Sequence, residues 1–220
     1  MITVFFLILI LTPMSTSNQL LYPGHIYHLW SHAVSQDNLF IEKENYRFFL
    51  SRYFAYTGSI ISTFAYCLMP NHIHFLIKIM DENRIVNHPK YKKDNQPVEN
   101  KIPHFISRQI GHFFNSYTKS FNNQYGRRGS LFERPFGRNL IDSEDYYTKM
   151  VIYIHRNPVK HGFAKNIHEW PYSSRHSYVN NLDDKVRNEG VLEWFGGFDG
   201  FIHAHLEEDE TYHSKMIERS

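Results

Sequence analysis

Ala65-Tyr66-Cys67-Leu68-Met69-Pro70-Asn71-His72-Ile73-His74-Phe75-Leu76-Ile77-Lys78 reads as two β-strands joined at Pro70-Asn71, the second opening with two histidines separated by one apolar residue. Successive strand side chains alternate between faces, so His72 and His74 share one side while Ile73, Phe75 and Ile77 take the other. Two imidazoles side by side on one face can hold a cation. They can equally be ordinary core or surface histidines, and the pair alone leaves both readings open.

The segments around this hairpin have regular patterns. Ile26 to Val34 is rich in aromatic and β-branched residues and reads as a strand, with His28 and His32 on one face and Tyr27 and Leu29 on the other. Glu42 to Tyr56 carries Tyr46, Phe49, Leu50, Tyr53 and Phe54 at helical spacing, a stripe for packing on a sheet. Ile60 to Leu68 and Ile73 to Ile79 are the two strands of the hairpin. Asp81 to Lys101 is polar and lysine-rich, and predicts a mobile loop interrupting the domain at about 81–102. From Pro103, Ile106, Ile110, Phe113, Phe114, Tyr117 and Phe121 recur every three or four residues and predict a long helix. A basic turn at Tyr125-Gly126-Arg127-Arg128-Gly129 follows, and Leu131 to Ile141 contains the last strand. Asp142-Ser143-Glu144-Asp145 supplies an N-cap and a negative first turn for a helix predicted to end at Asn157-Pro158. Trp170-Pro171-Tyr172-Ser173-Ser174-Arg175 begins a short helix, and Val191 to Ala204 predicts a small terminal helical element.

A chain of 220 residues supports one substantial core, here assigned to 21–180, between an apolar leader at 1–20 and an acidic extension at 181–220. An apolar fraction of 42% with 16% aromatics is that of a folded protein. The lone Cys67 excludes an intramolecular disulfide and a zinc ribbon, so the expected location is the reducing cytoplasm. Ile2 to Leu11 is too short to span a bilayer and lacks a basic n-region, so no membrane partner is expected. Residues 103–175 carry 11 Lys/Arg against 5 Asp/Glu, whereas residues 176–220 carry 4 against 10. A basic middle suits a phosphate-rich partner; a solvated charged surface is the plain alternative.

The helix after Asp142 places Tyr153 and Asn157 one turn apart on the same face. A tyrosine is a weak nucleophile at its free pKa of about 10 and needs a target phosphate activated by a cation. His72, His74, Asn157 and Tyr153 would form such an arrangement, although packing alone explains most of the 15 tyrosines. Tyr117 competes for the role, but its neighbours at helical spacing are Ile110, Phe113, Phe114 and Phe121, which suit a core position.

Tyr66 to Leu76, then Gly129-Ser130-Leu131-Phe132 and Tyr153-Ile154-His155-Arg156-Asn157-Pro158-Val159-Lys160-His161-Gly162, resemble the single-tyrosine HUH transposases, and more narrowly their REP-associated tyrosine transposase branch. Trp170-Pro171-Tyr172-Ser173-Ser174 and Val191 to Gly197 are similar to later landmarks of that branch. The resemblance runs from about Tyr22 to the Phe201 region. It implies an α+β fold: a ferredoxin-like antiparallel sheet with helices packed on one face, plus a small C-terminal helical appendage. It also implies that His72 and His74 are metal ligands, that Asn157 is the third, and that Tyr153 is the nucleophile. The ion implied is Mg2+ or Mn2+, imidazole suiting manganese better.

The activity so implied is cleavage and rejoining of single-stranded or hairpin DNA through a 5′-phosphotyrosine. No nucleotide cofactor is expected, since the sequence has no Gly-x-x-x-x-Gly-Lys-Ser/Thr loop, and relatives are commonly homodimers. Arg108, Lys119, Arg127, Arg128, Arg134, Arg138, Arg156 and Lys160 are the candidates for tracking DNA phosphates, with aromatics stacking on unpaired bases. Two other readings stand beside this one. A catalytically silent hairpin-binding descendant would keep the basic residues without cutting. A different metal-dependent or histidine phosphoesterase is weakened by Leu76, where a histidine triad would need a third alternating histidine.

Overall fold

The computed structural model describes residues 19–93, 100–180, 185–186 and 188–206. The apolar run Ile2 to Leu11, the middle of the lysine-rich segment and the acidic end after Leu206 lie outside the described residues.

Strand β1 (Ile26–His32), helix α1 (Lys43–Thr57), strands β2 (Ile61–Met69) and β3 (His72–Ile79), helix α4 (Lys101–Gln124) and strand β4 (Gly137–Ile141) make a split βαββαβ unit. Two short helices, α2 (Glu82–Val86) and α3 (Pro89–Lys92), precede α4, and α5 (Glu144–Lys160), α6 (Arg175–Asn180) and α7 (Asn188–Trp194) follow β4. The sheet has the order β2-β3-β1-β4 with every pairing antiparallel. This is the ferredoxin-like arrangement that the resemblance implies.

The strand alternation divides the core. Phe75, on one face, meets Phe49 and Tyr53 of α1 at ring distances of 6.4 and 4.4 Å, and Phe49 meets Phe113 of α4 at 4.8 Å. Helices α1 and α4 therefore share one face, as expected. Helix α5 packs on β2 and β3 from the other face, the face of His72 and His74. Asn45 starts α1 by accepting from the backbone N–H groups of Ile41 and Glu42 at 2.9 and 3.0 Å.

Three expectations need correction. The described part of the segment after Ile79 is not a structureless loop. His88 caps α3 by accepting from the Lys90 N–H, Pro89 fits the first turn without needing a donor, Ile85 is buried, and Tyr91 packs 5.2 Å from Phe105. Nor does Asn157-Pro158 end α5, which continues to Lys160. The ring forfeits one intrahelical donor, but the freed turn is closed immediately: Asn157 O accepts from His161 N, and Pro158 O accepts from Phe163 N at 2.8 Å. The terminal helical element is likewise divided, into α7 and a helix over 198–206, by Gly196 and Gly197, whose φ values of 72° and 111° suit glycine.

The outer edge of β2 is covered by the segment after Trp170. Leu68 N donates to Tyr172 O and Ser174 N to Tyr66 O, both at 3.0 Å, while Trp170 Nε1 donates to Leu68 O. From this edge a buried polar chain runs through α5 to the last described helix. Phe201 O can only accept, so His205 Nδ1 carries its proton and His205 Nε2 accepts from His155 Nδ1 at 2.9 Å. His155 Nε2 then accepts from Ser174 Oγ, also at 2.9 Å, and Ser174 Oγ accepts from Tyr66 N at 2.8 Å. Both rings are fully buried, so this Ser-His pair is a tether for α5 and has no access to a substrate.

Burial pushes the His155 pKa well below the usual imidazole value and lowers that of His205 to about 4. The unfolded state thus binds these protons first: their contribution is whole above pH ~6.5 and is lost as pH falls towards ~4. His205 alone accounts for about 2 kcal/mol at pH ~5. H205Q, which keeps an acceptor for His155 but does not titrate, is expected in urea unfolding to lose about 2 kcal/mol less than wild type between pH ~7 and ~5. An equal fall in both proteins would refute this assignment.

Candidate functional site

In the β1–β3 ladder Trp30 lies opposite His74 and His32 opposite His72. Paired residues of adjacent strands share a face, so His28, Trp30 and His32 join His72 and His74 on the side away from α1 and α4. The result is a layer of rings. His28 stacks on His74 with centroids 5.1 Å apart, His32 stacks on His72 at 5.0 Å, and His72 and His74 meet edge to face at 5.3 Å.

Hydrogen bonds orient the two motif histidines. Asn71 Oδ1 lies 2.7 Å from His72 Nδ1; an amide oxygen only accepts, so the proton is on Nδ1 and the Nε2 lone pair is left outward. That Nε2 is buried and has no hydrogen-bond partner. His74 Nδ1 lies 2.9 Å from His28 Nε2 in a fully enclosed contact. With His74 as the donor, its Nε2 lone pair is also available. His28 was visible in the sequence as a strand histidine, but its contact with His74 depends on a strand pairing that links residues 46 positions apart, and no local pattern reports it.

Helix α5 brings Tyr153, Asn157 and Lys160, at helical spacing, to this layer. The Tyr153 ring lies 5.7 Å from His74 and 6.0 Å from His28, edge to face with both. Lys160 Nζ lies 5.0 Å from the Tyr153 ring centroid, and His161, which caps the helix, meets His72 at 4.6 Å. Asn157 is fully buried; its Nδ2 donates to Tyr153 O at 2.8 Å, and its Oδ1 is left without a hydrogen-bond partner.

Burial dominates the electrostatics. It lowers the His28 pKa to about 3 and that of His74 well below the usual range. It lowers His72 to about 3, assisted by the neighbouring His161, His32 and Lys160. These imidazoles are neutral at physiological pH, the form that ligates metals. Burial raises the Tyr153 pKa; the Asn157 side chain opposes that shift and Tyr146 adds to it.

The donor set fits a divalent cation in part through side-chain nitrogen and in part through an amide oxygen: His72, His74 and Asn157 offer neutral lone pairs, two of them on buried atoms otherwise unpartnered. Among the described residues no three His, Cys, Asp or Glu side chains gather as a metal cluster; the Asn157 amide oxygen is a further donor on the helix that faces the histidines.

Tyr117 is placed on the other side of the sheet. It is buried against α1, its hydroxyl donates to Leu39 O at 2.5 Å, and burial raises its pKa. Of the basic candidates, Arg108 and Lys119 line a groove of about 760 Å³ along α4 together with Arg52 and Lys90. Lys119 also lines an adjoining groove with Arg127 and Arg128, and neither lining contains a carboxylate. Arg127 forms an ion pair with Asp37, and Arg134 donates to Asn115 Oδ1 at 2.7 Å beside a third groove. Arg138 and Arg156 are buried and do not join this surface; Arg138 donates to Gln19 O and lies over the Phe136 ring. Lys160 stands apart from the grooves, at Tyr153.

H28F leaves the buried His74 Nδ1 without its partner and is expected to cost about 1–3 kcal/mol of folding stability in chemical denaturation. H32A, at an exposed strand end, is expected to stay within about 0.5 kcal/mol of wild type. Equal effects of the two would contradict the orienting role of His28.

No family model matches the chain. A Haemophilus influenzae protein with the provisional name REP-associated tyrosine transposase is 30% identical over 120 residues, covering 53% of this chain and 60% of that protein. An Escherichia coli protein named REP-associated tyrosine transposase is 30% identical over 83 residues, covering 38% and 46%. The chain thus spans about half to three fifths of the length of these curated relatives. A solved structure of a REP-associated tyrosine transposase bound to a REP hairpin superposes with a TM-score of 0.54 at 18% identity, over 76% of this chain and 86% of that one. This shared fold and the two relatives agree with the motif reading: the chain is similar to the REP-associated tyrosine transposases. No helix among the described residues is long and apolar enough to cross a membrane.

Proposed function

We propose that this chain is a metal-dependent transposase or nuclease that cleaves and rejoins single-stranded DNA at hairpin-like elements through a 5′-phosphotyrosine. The observation that carries the reading is that Tyr153 of α5 meets His74 of β3 and His161 meets His72, with Asn157 one helical turn from each, while His72 Nε2 and Asn157 Oδ1 are buried without hydrogen-bond partners. Such atoms are costly unless a ligand satisfies them. The relatives' names and the hairpin held by the structural neighbour support DNA as the substrate.

His72, His74 and Asn157 would hold Mg2+ or Mn2+, and the bound ion would supply positive charge to the non-bridging oxygens of the scissile phosphate. His28 would act behind them, fixing the His74 tautomer and ring orientation. Tyr153 Oη attacks phosphorus in line and gives up its proton to solvent; the Tyr–O–P bond forms as the bond from phosphorus to the 3′ oxygen breaks, and that oxygen takes a proton from solvent and leaves as a 3′-OH. Burial makes the phenol reluctant to ionise, and the Lys160 ammonium beside its ring favours the developing negative charge. Rejoining is the reverse attack by a 3′-OH on the phosphotyrosine, so the energy of the broken bond is retained in the protein linkage.

The grooves along α4 would track phosphates away from the reacting centre. Their presence also favours a second reading, a hairpin-binding descendant that no longer cuts. Incubation with hairpin DNA carrying a single-stranded flank, with Mn2+, is expected to give a covalent protein–DNA adduct in wild type and none in Y153F. An adduct surviving in Y153F would sink the nucleophile assignment, and tight binding without nicking in any metal would favour the binding-only reading.

Binding should also weaken steeply with salt. R108E/K119E is expected to lose about tenfold or more in affinity and to flatten the log–log salt slope by about 2. An unchanged slope would remove these residues from the phosphate track.

A further inference from the structure

Helix α5 packs chiefly on β2 and β3 and reaches β1 through the Tyr153–His28 contact, so the β1–β4 half of the histidine face is the part of the sheet beside Tyr153 that α5 covers least. Trp30 stands there. It is only partly buried, it pairs in register with His74 on one side and Gly137 on the other, and it stacks on His28 with centroids 4.9 Å apart and planes at 26°. His28 in turn meets Tyr153, so the indole is one ring removed from the proposed nucleophile.

The neighbouring strand is built around this indole. A Cβ at Gly137 would fall 2.0 Å from Trp30 Cε2 and 2.4 Å from Cζ2, so any other residue there would displace the ring. Gly137 is thus the one position of β4 where absence of a side chain lets the indole lie against the strand. A large, partly exposed aromatic held in place by a glycine, adjacent to a catalytic set, has the features of a stacking platform: a rigid π surface with little rotamer entropy left to lose on contact.

Resting on the DNA-cleaving reading above, we infer that Trp30 packs against the base of the nucleotide flanking the scissile phosphate in single-stranded DNA, positioning that phosphate over Tyr153. A backbone phosphate bound at the histidine pair carries its attached bases within reach of neighbouring sheet residues, and every base presents a π face, so the contact tolerates sequence. Trp30 is a positioning residue in this scheme. It supplies no charge and takes no proton.

The test uses the Y153F chain with Mg2+, the missing nucleophile preventing cleavage, with labelled single-stranded oligonucleotides of about 12 nucleotides and with a hairpin bearing a flank of that length. Binding is followed by anisotropy with labelled DNA and, in parallel, by tryptophan emission with unlabelled DNA. Binding accompanied by quenching is expected. W30L should weaken affinity by roughly 5- to 150-fold and W30F by much less, with the salt slope unchanged because no phosphate contact is lost. W30F should bind without the quench, which assigns the signal to Trp30 over Trp170 and Trp194.

No binding of any of these DNAs by the Y153F chain would overturn the DNA reading and the platform with it. Binding with undiminished emission, or with W30F quenched as fully as its parent, would overturn the platform alone. So would W30L affinity within about twofold of the parent, since a merely space-filling indole would change stability and leave DNA affinity untouched.

Discussion

The register between β1 and β3 is the constraint on which the site depends. Because strand side chains alternate, a slip of one residue would turn His28, Trp30 and His32 towards α1 and α4, and Tyr27, Leu29 and Ser31 towards α5. The fold guards against that slip through the aromatic packing of the other face. Phe75 is wedged against Tyr53 and Phe49, and Tyr27 is buried with its hydroxyl donating to Leu20 O. The apolar face thus fixes where the histidines stand on the opposite side of the sheet.

A second constraint sets the height and rotation of α5. Tyr153 and Asn157 face the sheet only if the helix keeps its azimuth, and His155, pointing elsewhere on the same turn, is pinned by Ser174 on one side and His205 on the other. Ser174 is itself bonded to the edge of β2, the strand on which α5 chiefly packs. The polar chain is therefore a directional tether between sheet, helix and the last described helix. Apolar contacts from Val151 and Ile154 resist separation of α5 from the sheet but resist rotation weakly; a hydrogen-bonded chain with fixed tautomers resists both. Continuation of α5 through Pro158 has the same use, since it carries Lys160 and His161 to the Tyr153 and His72 rings.

Much of this was legible from local periodicity. The alternation at His72-Ile73-His74, the apolar stripe of α4 and the four-residue spacing of Tyr153 and Asn157 depend on neighbours a few positions apart, and the structure places those residues as the spacing says. What escaped is nonlocal. Nothing near His28 says that it will meet His74, and nothing near Arg138 or Arg156 says that they will be buried while Arg108 and Lys119 line an open groove. Composition marked all of these arginines alike because charge is read residue by residue, whereas burial is decided by the packing of distant elements. The error at Pro158 has a different origin: proline weakens a helix, but one lost donor near a C-terminus is outweighed when the following carbonyl bonds are closed by the next loop.

Tyr117 and Tyr153 show how far residue type alone is from chemistry. Both sit on long helices packed on the same sheet, and burial raises both phenols above their usual pKa. Tyr117 spends its hydroxyl on a backbone carbonyl among phenylalanines, a contact that stabilises the protonated phenol and leaves no room for a phosphate. Tyr153 is only partly buried and has an ammonium beside its ring and neutral imidazoles along its edge, surroundings whose chemistry suits a cation or a phosphate. The same burial that makes Tyr153 a reluctant acid keeps the neighbouring imidazoles neutral, the form in which, on the function proposed above, they would hold the charge that overcomes that reluctance.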